Sequence, residues 1–197
     1  MNEILVIFGD STADEMQSAF ERAADFSRFT SCRKFFVELE NLEQRLKAIC
    51  ETENITGYCI GVVDREHRQR IAFEAEKLGL EPYSIIDPSA TIDRTAEIGK
   101  GCFVAAQAVV SCRAKIEDHS IVHFHATIGH DARLGQHCIV LPGARVSGRV
   151  QLQNHVLIGS NAFIFQGVSI GEHASIDALT YVRDDVAARR VISVRRP

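Results

Sequence analysis

Of the eight histidines in this chain, one stands directly before a carboxylate: His130, followed by Asp131. A neutral imidazole is the side chain best matched to taking a proton near pH 7, so general-base chemistry is the first reading of His130. Arg113 and Arg149 lie eighteen residues to either side of Asp131, and either can compete for its carboxylate. His119, His137, His155 and His173 recur at intervals of eighteen. As function, that column is a metal or proton ladder; as structure, it is four turn residues solvated along one edge. The second reading is preferred, because no carboxylate or cysteine alternates with the four rings.

The number eighteen has a source. From Ile86 to Val182 every sixth residue is aliphatic, and four positions after each comes a small or slim residue, from Ala90 to Val186. The beat runs for seventeen hexads without an insertion. No helix or ordinary strand has this period, whereas hexapeptide repeats specify a parallel β-helix. Three hexads make one triangular coil, with the large aliphatic filling the interior and the small residue where the wall turns. Coils stack like parallel strands about 4.8 Å apart, which makes the prism roughly 27 Å tall. The fourth position of each hexad is rich in Gly, His, Asn, Asp and Arg, the chemistry of a turn at positive φ. His130 falls at the third position, so its ring points out from a corner.

The first eighty-five residues alternate strand and helix. Strands are predicted at Glu3–Phe8, Lys34–Val37 and Tyr58–Val63. Helices are predicted at Ala13–Phe26, capped by Ser11 or Thr12, at Asn41–Cys50 and at Glu66–Leu78, the last stopped by Gly79. That order implies βαβ units and a small parallel sheet, with ligands at the carboxyl ends of its strands. The expected organisation is an α/β unit over 1–84, the β-helix over 85–188 and a basic tail over 189–197.

With 46% hydrophobic residues and a net charge of −4, the chain reads as one globular protein without a nucleic-acid footprint. No apolar run approaches the length of a membrane span, and Met1–Asp10 is no signal peptide. Cys102 and Cys138 take the small inward site, and Cys59 lies in an apolar run. With no paired zinc spacing, the six cysteines read as reduced thiols of a cytoplasmic protein.

A small βαβ unit followed directly by an unbroken hexapeptide prism resembles the bacterial sugar acetyltransferases of the NeuD/PglD type. The specific match is short. The family stretch V-[EG]-H-[DE]-x-x-[IL]-G, followed by P-G-A, is met by Ile128-Gly129-His130-Asp131-Ala132-Arg133-Leu134-Gly135 and Pro142-Gly143-Ala144. The resemblance implies a left-handed β-helix, a homotrimer and transfer of acetyl from acetyl-CoA to an amino or hydroxyl group of a sugar or nucleotide sugar. It implies His130 as general base, with Asp131 raising its basicity and holding its tautomer. A backbone N–H of the adjacent coil would meet the developing oxyanion, Gly148 first among the candidates. Carried over by position, Ile139, Gly159, Ser160 and Ala178 would line the acetyl-CoA groove between two prisms. Gly9, Asp10, Ser11 and His125 would face the acceptor, and Arg189, Arg190, Arg195 and Arg196 could meet CoA phosphates. No metal, nucleic acid or membrane partner is expected.

The chain departs from the family in its first loop, where G-A-G-G-H-[AG] is usual and Gly9-Asp10-Ser11-Thr12-Ala13 stands instead. One glycine remains, and Asp10 would repel a pyrophosphate. The acidic pair after the second strand is replaced by Val37-Glu38-Leu39-Glu40, and the usual G-x-P-A close is absent. Two other functions compete. A zinc enzyme resembling the γ-class carbonic anhydrases would use His125 and His130, five residues apart, although their hexad positions splay the two rings differently. A non-catalytic trimeric scaffold would need the prism alone, and has no use for His130-Asp131.

Overall fold

Leu5-Val6-Ile7-Phe8 has no polar face, and such a run forms a strand buried on both sides. The computed structural model describes residues 3–9, 11–23, 29–35 and 40–194, and divides into two compact units, residues 1–88 and 89–197. The first unit runs β1 (Glu3–Gly9), α1 (Ser11–Ala23), β2 (Phe29–Phe35), α2 (Leu42–Thr52), β3 (Ile55–Gly61), α3 (Arg65–Lys77) and β4 (Glu81–Pro82). Its four strands are parallel in the order β2-β1-β3-β4.

Element order agrees with the sequence reading, while boundaries move by one to five residues. α1 begins at Ser11, so Ser11 and Thr12 lie in its first turn and do not cap it from outside; its expected end at Phe26 lies outside the described residues. β2 begins at Phe29, well before Lys34, and Val37 lies outside the described residues. An edge strand of mixed polarity, Ser31-Cys32-Arg33-Lys34, lacks the apolar run that marks a central strand. β3 starts at Ile55 and ends at Gly61, ahead of the expected Tyr58–Val63. α3 is capped by Asp64, whose side chain accepts from the His67 N–H at 2.9 Å.

Two features hold the carboxyl ends of these strands. A Cβ on Gly61 would stand 2.6 Å from the Ala13 nitrogen, so only glycine lets α1 pack this closely. Arg68, fully buried, donates from Nη1 to the carbonyls of Ile60 and Val62 at 2.7 and 2.8 Å. Beneath them the Cys59 thiol is pushed up to about 12 by burial, and all six cysteines are free.

The second unit is a parallel β-helix of two-residue strands on three faces. One face stacks Thr91–Ile92, Val109–Val110, Thr127–Ile128, Arg145–Val146, Phe163–Ile164 and Tyr181–Val182; the others repeat the pattern. The aliphatic and small positions of the hexads form one continuous core. Three ladders join the coils. At the second position Gly129 N–H donates to Val146 O (2.7 Å), and at the sixth Thr127 N–H to Ala144 O (3.0 Å). At the fourth, Asp131 N–H donates to Cys112 O (3.0 Å). Every fourth position from Gly101 to Leu179 has φ between +54° and +77°. Non-glycine residues in that region cost roughly 1 kcal/mol each, an expense offset by the N–H bond that each makes to the coil below, to a carbonyl in most and to the Ser89 and Thr95 hydroxyls for Gln107 and Arg113.

The histidine column differs from expectation. His119, His137 and His155 are not solvated: their exposures are 6, 8 and 8%. Their rings stack on one another and on His173, with centroids 5.0, 5.0 and 4.5 Å apart. Equal φ angles aim the four rings the same way, and the coil rise is nearly an aromatic stacking distance. Each ring therefore covers its neighbour.

Candidate active site

His130 and Asp131 form the corner that follows the strand Thr127–Ile128. Asp131 takes the turn position at φ +59°, a conformation that Asp tolerates better than most residues. Its N–H is held by Cys112 O below, and His130 O accepts from Arg149 N–H above at 2.8 Å. Both side chains remain partly open to solvent, at 41% and 34%.

His130 Nδ1 lies 2.8 Å from Asp131 Oδ2. On the coil below, Arg113 grips the same carboxylate with both arms of its fork, Nε to Oδ1 at 2.7 Å and Nη2 to Oδ2 at 3.1 Å. The Arg113 bonds, and then the His130 contact, hold the Asp131 carboxyl well below the usual carboxylate range. An ionised carboxylate only accepts, so the proton of the neutral ring sits on Nδ1 and the lone pair on Nε2. The contest between Arg113 and Arg149 is thus won by Arg113; Arg149 makes no bond to the carboxylate among the described residues.

The other side of the ring meets Gly148, one coil above. A Cβ there would stand 2.5 Å from Nε2 and 2.7 Å from Cε1 of His130, so the ring fits only because Gly148 has no side chain. Gly129 is constrained likewise, since its Cβ would stand 2.5 Å from the Gly148 nitrogen. The Gly148 N–H donates to no main-chain carbonyl among the described residues.

The remaining candidates fall elsewhere. His125 is exposed at φ +57°, at the corner before that of His130, with the strand Thr127–Ile128 between them. Gly159, Ser160 and Ala178 share the His125 corner on higher coils. A Cβ on Gly159 would meet the Ala178 nitrogen at 2.4 Å. Ala178 lines a cavity of about 220 Å³ with Asp177, Leu179, Ser193 and Val194. Ile139 is fully buried and offers no open surface to a groove, a correction to its expected lining role. Packed beside Ile121 and Leu157 in its sheet, it is a core-like position of that face.

In the first unit Gly9 closes β1 at φ +148°, pressed so closely on Gly61 that a Cβ would stand 2.7 Å from its carbonyl carbon. Ser11 opens α1, exposed. Asp10, Arg195 and Arg196 lie outside the described residues, while Arg189 and Arg190 are exposed. Among the described residues no three His, Cys, Asp or Glu side chains converge as a metal site, and His125 and His130 stay at separate corners. No described helix is long and apolar enough to cross a membrane.

Residues 149–183 match a family model described as the hexapeptide repeat of succinyl-transferase. No curated protein sequence matches the chain. Among solved structures, the acetyltransferase domain of PglB from Neisseria gonorrhoeae FA1090 superposes with a TM-score of 0.83 at 23% identity, over 97% of this chain and 96% of that one. WeeI from Acinetobacter baumannii AYE gives 0.85 at 19% identity, over 98% and 97%. PerB from Caulobacter crescentus, in complex with CoA and GDP-perosamine, gives 0.72 at 20% identity, over 98% and 95%. A likeness of this extent at such low identity is one of fold: an α/β unit followed by a left-handed parallel β-helix of hexapeptide repeats.

Proposed function

We propose that the chain is an acetyl-CoA-dependent acetyltransferase, acting on an amino or hydroxyl group of a sugar or nucleotide sugar in bacterial surface-polysaccharide synthesis. The observation that carries this reading is the His130 imidazole, bonded through Nδ1 to Asp131 and presenting Nε2 against Gly148 at an open corner. Similar chains that bind acetyl coenzyme A, or CoA with GDP-perosamine, support the donor and the acceptor class.

In this mechanism Nε2 takes the proton of the acceptor amine or hydroxyl as its N or O attacks the thioester carbonyl. The negative charge that gathers on the carbonyl oxygen is met by the Gly148 N–H. The C–S bond then breaks, and the leaving thiolate recovers the proton from the imidazolium. Asp131 keeps the ring in the Nδ1–H tautomer throughout.

His130 and the positions carried over for acetyl-CoA occupy consecutive corners of one prism. A groove holding both needs the corner of a second copy, so the working enzyme is a homotrimer with acetyl-CoA between protomers. The α/β unit over 1–84 is the acceptor module, with Gly9 at the end of β1 and Ser11 at the start of α1 facing the acceptor, and the prism over 85–188 is the transfer module. The chain works in the cytoplasm, where acetyl-CoA and nucleotide sugars are found.

The test is acetyl transfer from acetyl-CoA across a panel of amino sugars and their nucleotide forms. His130→Ala should lower kcat/KM by roughly 10²- to 10⁴-fold, the range for loss of a general base. Equal activity of wild type and variant, or no binding of any acyl donor, would sink the enzyme reading and leave the scaffold.

A further inference from the structure

Arg113 does not take Asp131 away from His130, although it grips the same carboxylate. Its fork occupies Oδ1 and one side of Oδ2, and leaves Oδ2 in contact with Nδ1. From these contacts we infer that Arg113 is a positioning residue for His130: it fixes the carboxylate in the pose that reaches Nδ1 and takes up part of the charge that would otherwise favour the imidazolium. This inference rests on the reading of His130 as general base and deepens it.

A carboxylate beside a histidine has two effects that oppose each other in a base. It orients the ring and selects the tautomer, which helps. It also stabilises the protonated ring, which then has no lone pair to take a proton. A cation bonded to the far side of the carboxylate separates the two effects, because the orienting bond survives while the net charge facing the ring falls.

The surroundings contain little else to supply that balance. The titratable and charged groups at this corner are Asp131 beside the ring, Arg113 and Cys112 on the coil below, Asp93 and Arg94 on the coil below that, where Asp93 feels the charge of Arg113, and Arg149 on the coil above; Gly148 closes the ring's other side with no charge. Of these, among the described residues, only Arg113 is bonded to the Asp131 carboxylate besides the ring itself. The pair sits at a corner whose main chain is fixed by the Asp131 N–H to Cys112 O ladder bond, and the Arg113 side chain is 61% exposed. Replacing it leaves the core of the prism untouched.

The experiment follows the His130 ring by NMR through a pH titration of wild type, Arg113→Gln and Arg113→Lys, with no donor or acceptor present. In Arg113→Gln the pH midpoint of the ring should rise by about half a unit to one unit, the scale for removing a unit charge a few ångströms away in a solvent-screened site. Arg113→Lys keeps the charge and should hold the midpoint near the wild-type value. In transfer assays the acid limb of the pH–rate profile should move up with the midpoint in the Gln variant and stay in place in the Lys variant. A midpoint that stays or falls in Arg113→Gln, or a shift that Arg113→Lys shares, overturns the proposal. Because the titration needs no substrate, it stands apart from the acetyl-transfer reading. A shifted midpoint in a protein that transfers no acetyl group counts against that reading alone.

Discussion

At the corner of His130 a missing side chain matters as much as those present. Gly148 has an ordinary negative φ, so its identity answers to space alone: the methyl of Gly148→Ala would fall 2.5 Å from Nε2. The ring must swing away, and a displacement of about 1 Å at a reacting atom is worth on the order of 10²-fold in rate. Gly148→Ala should therefore lose about that much kcat, while its melting temperature stays within a few degrees of wild type, since the core is unaffected. Steady-state kinetics beside a thermal melt checks this; full activity would mean that the ring is not placed for catalysis. Counting by eighteen was enough to set Arg113, Gly148 and Arg149 around His130-Asp131 from the sequence. Which arginine reaches the carboxylate was not legible, because that depends on rotamers chosen by neighbours in space. That Arg113 works with His130 and not against it needed the positions of both carboxylate oxygens.

At the scale of the element, each coil of the prism buries its core only against the coils above and below. Ile158 in the middle is fully buried, whereas Ile92, in the first coil of its face, is only partly so. Ile158→Ala should cost about 2–5 kcal/mol, the range for a core isoleucine whose cavity cannot collapse, and Ile92→Ala about half of that. Urea unfolding of the two variants measures the difference; equal losses would mean that the coils do not share load as a stack. The same regularity made the prism legible, since every coil repeats one pattern and no single residue decides it. The α/β unit was legible in order but not in its ends. The Phe29 start of β2 and the Ile55 start of β3 lie in stretches whose pattern is set by sheet neighbours more than by their own residues. Burial of His119, His137 and His155 was missed for a related reason: each ring stacks on the same residue type one coil away, a contact that burial tendencies of single residues do not contain.

At the scale of the whole molecule, the C-terminal end of one prism face is aromatic and exposed. Phe163 and Tyr181 stand one above the other on it, their rings 5.6 Å apart, with Phe165 against Tyr181 at the neighbouring corner; Arg145 and Thr127 separate this patch from Val109 lower down. Exposures of 39% for Phe163, 48% for Phe165 and 56% for Tyr181 leave much apolar surface in water. Contiguous patches of this kind mark association surfaces, and cyclic packing of copies covers one such patch on each without leaving an open end. Light scattering should therefore report a mass of about 65 kDa, three copies of a 21.8 kDa chain. A charge within this aromatic patch, as in Tyr181→Asp, should shift the mass toward that of the single chain. It should also abolish transfer, although His130, Asp131 and Arg113 are untouched, if the acetyl-CoA groove is built, as proposed, from corners of two protomers. A wild-type mass near 22 kDa, or a monomeric Tyr181→Asp protein with full activity, would refute the trimer and with it the shared groove.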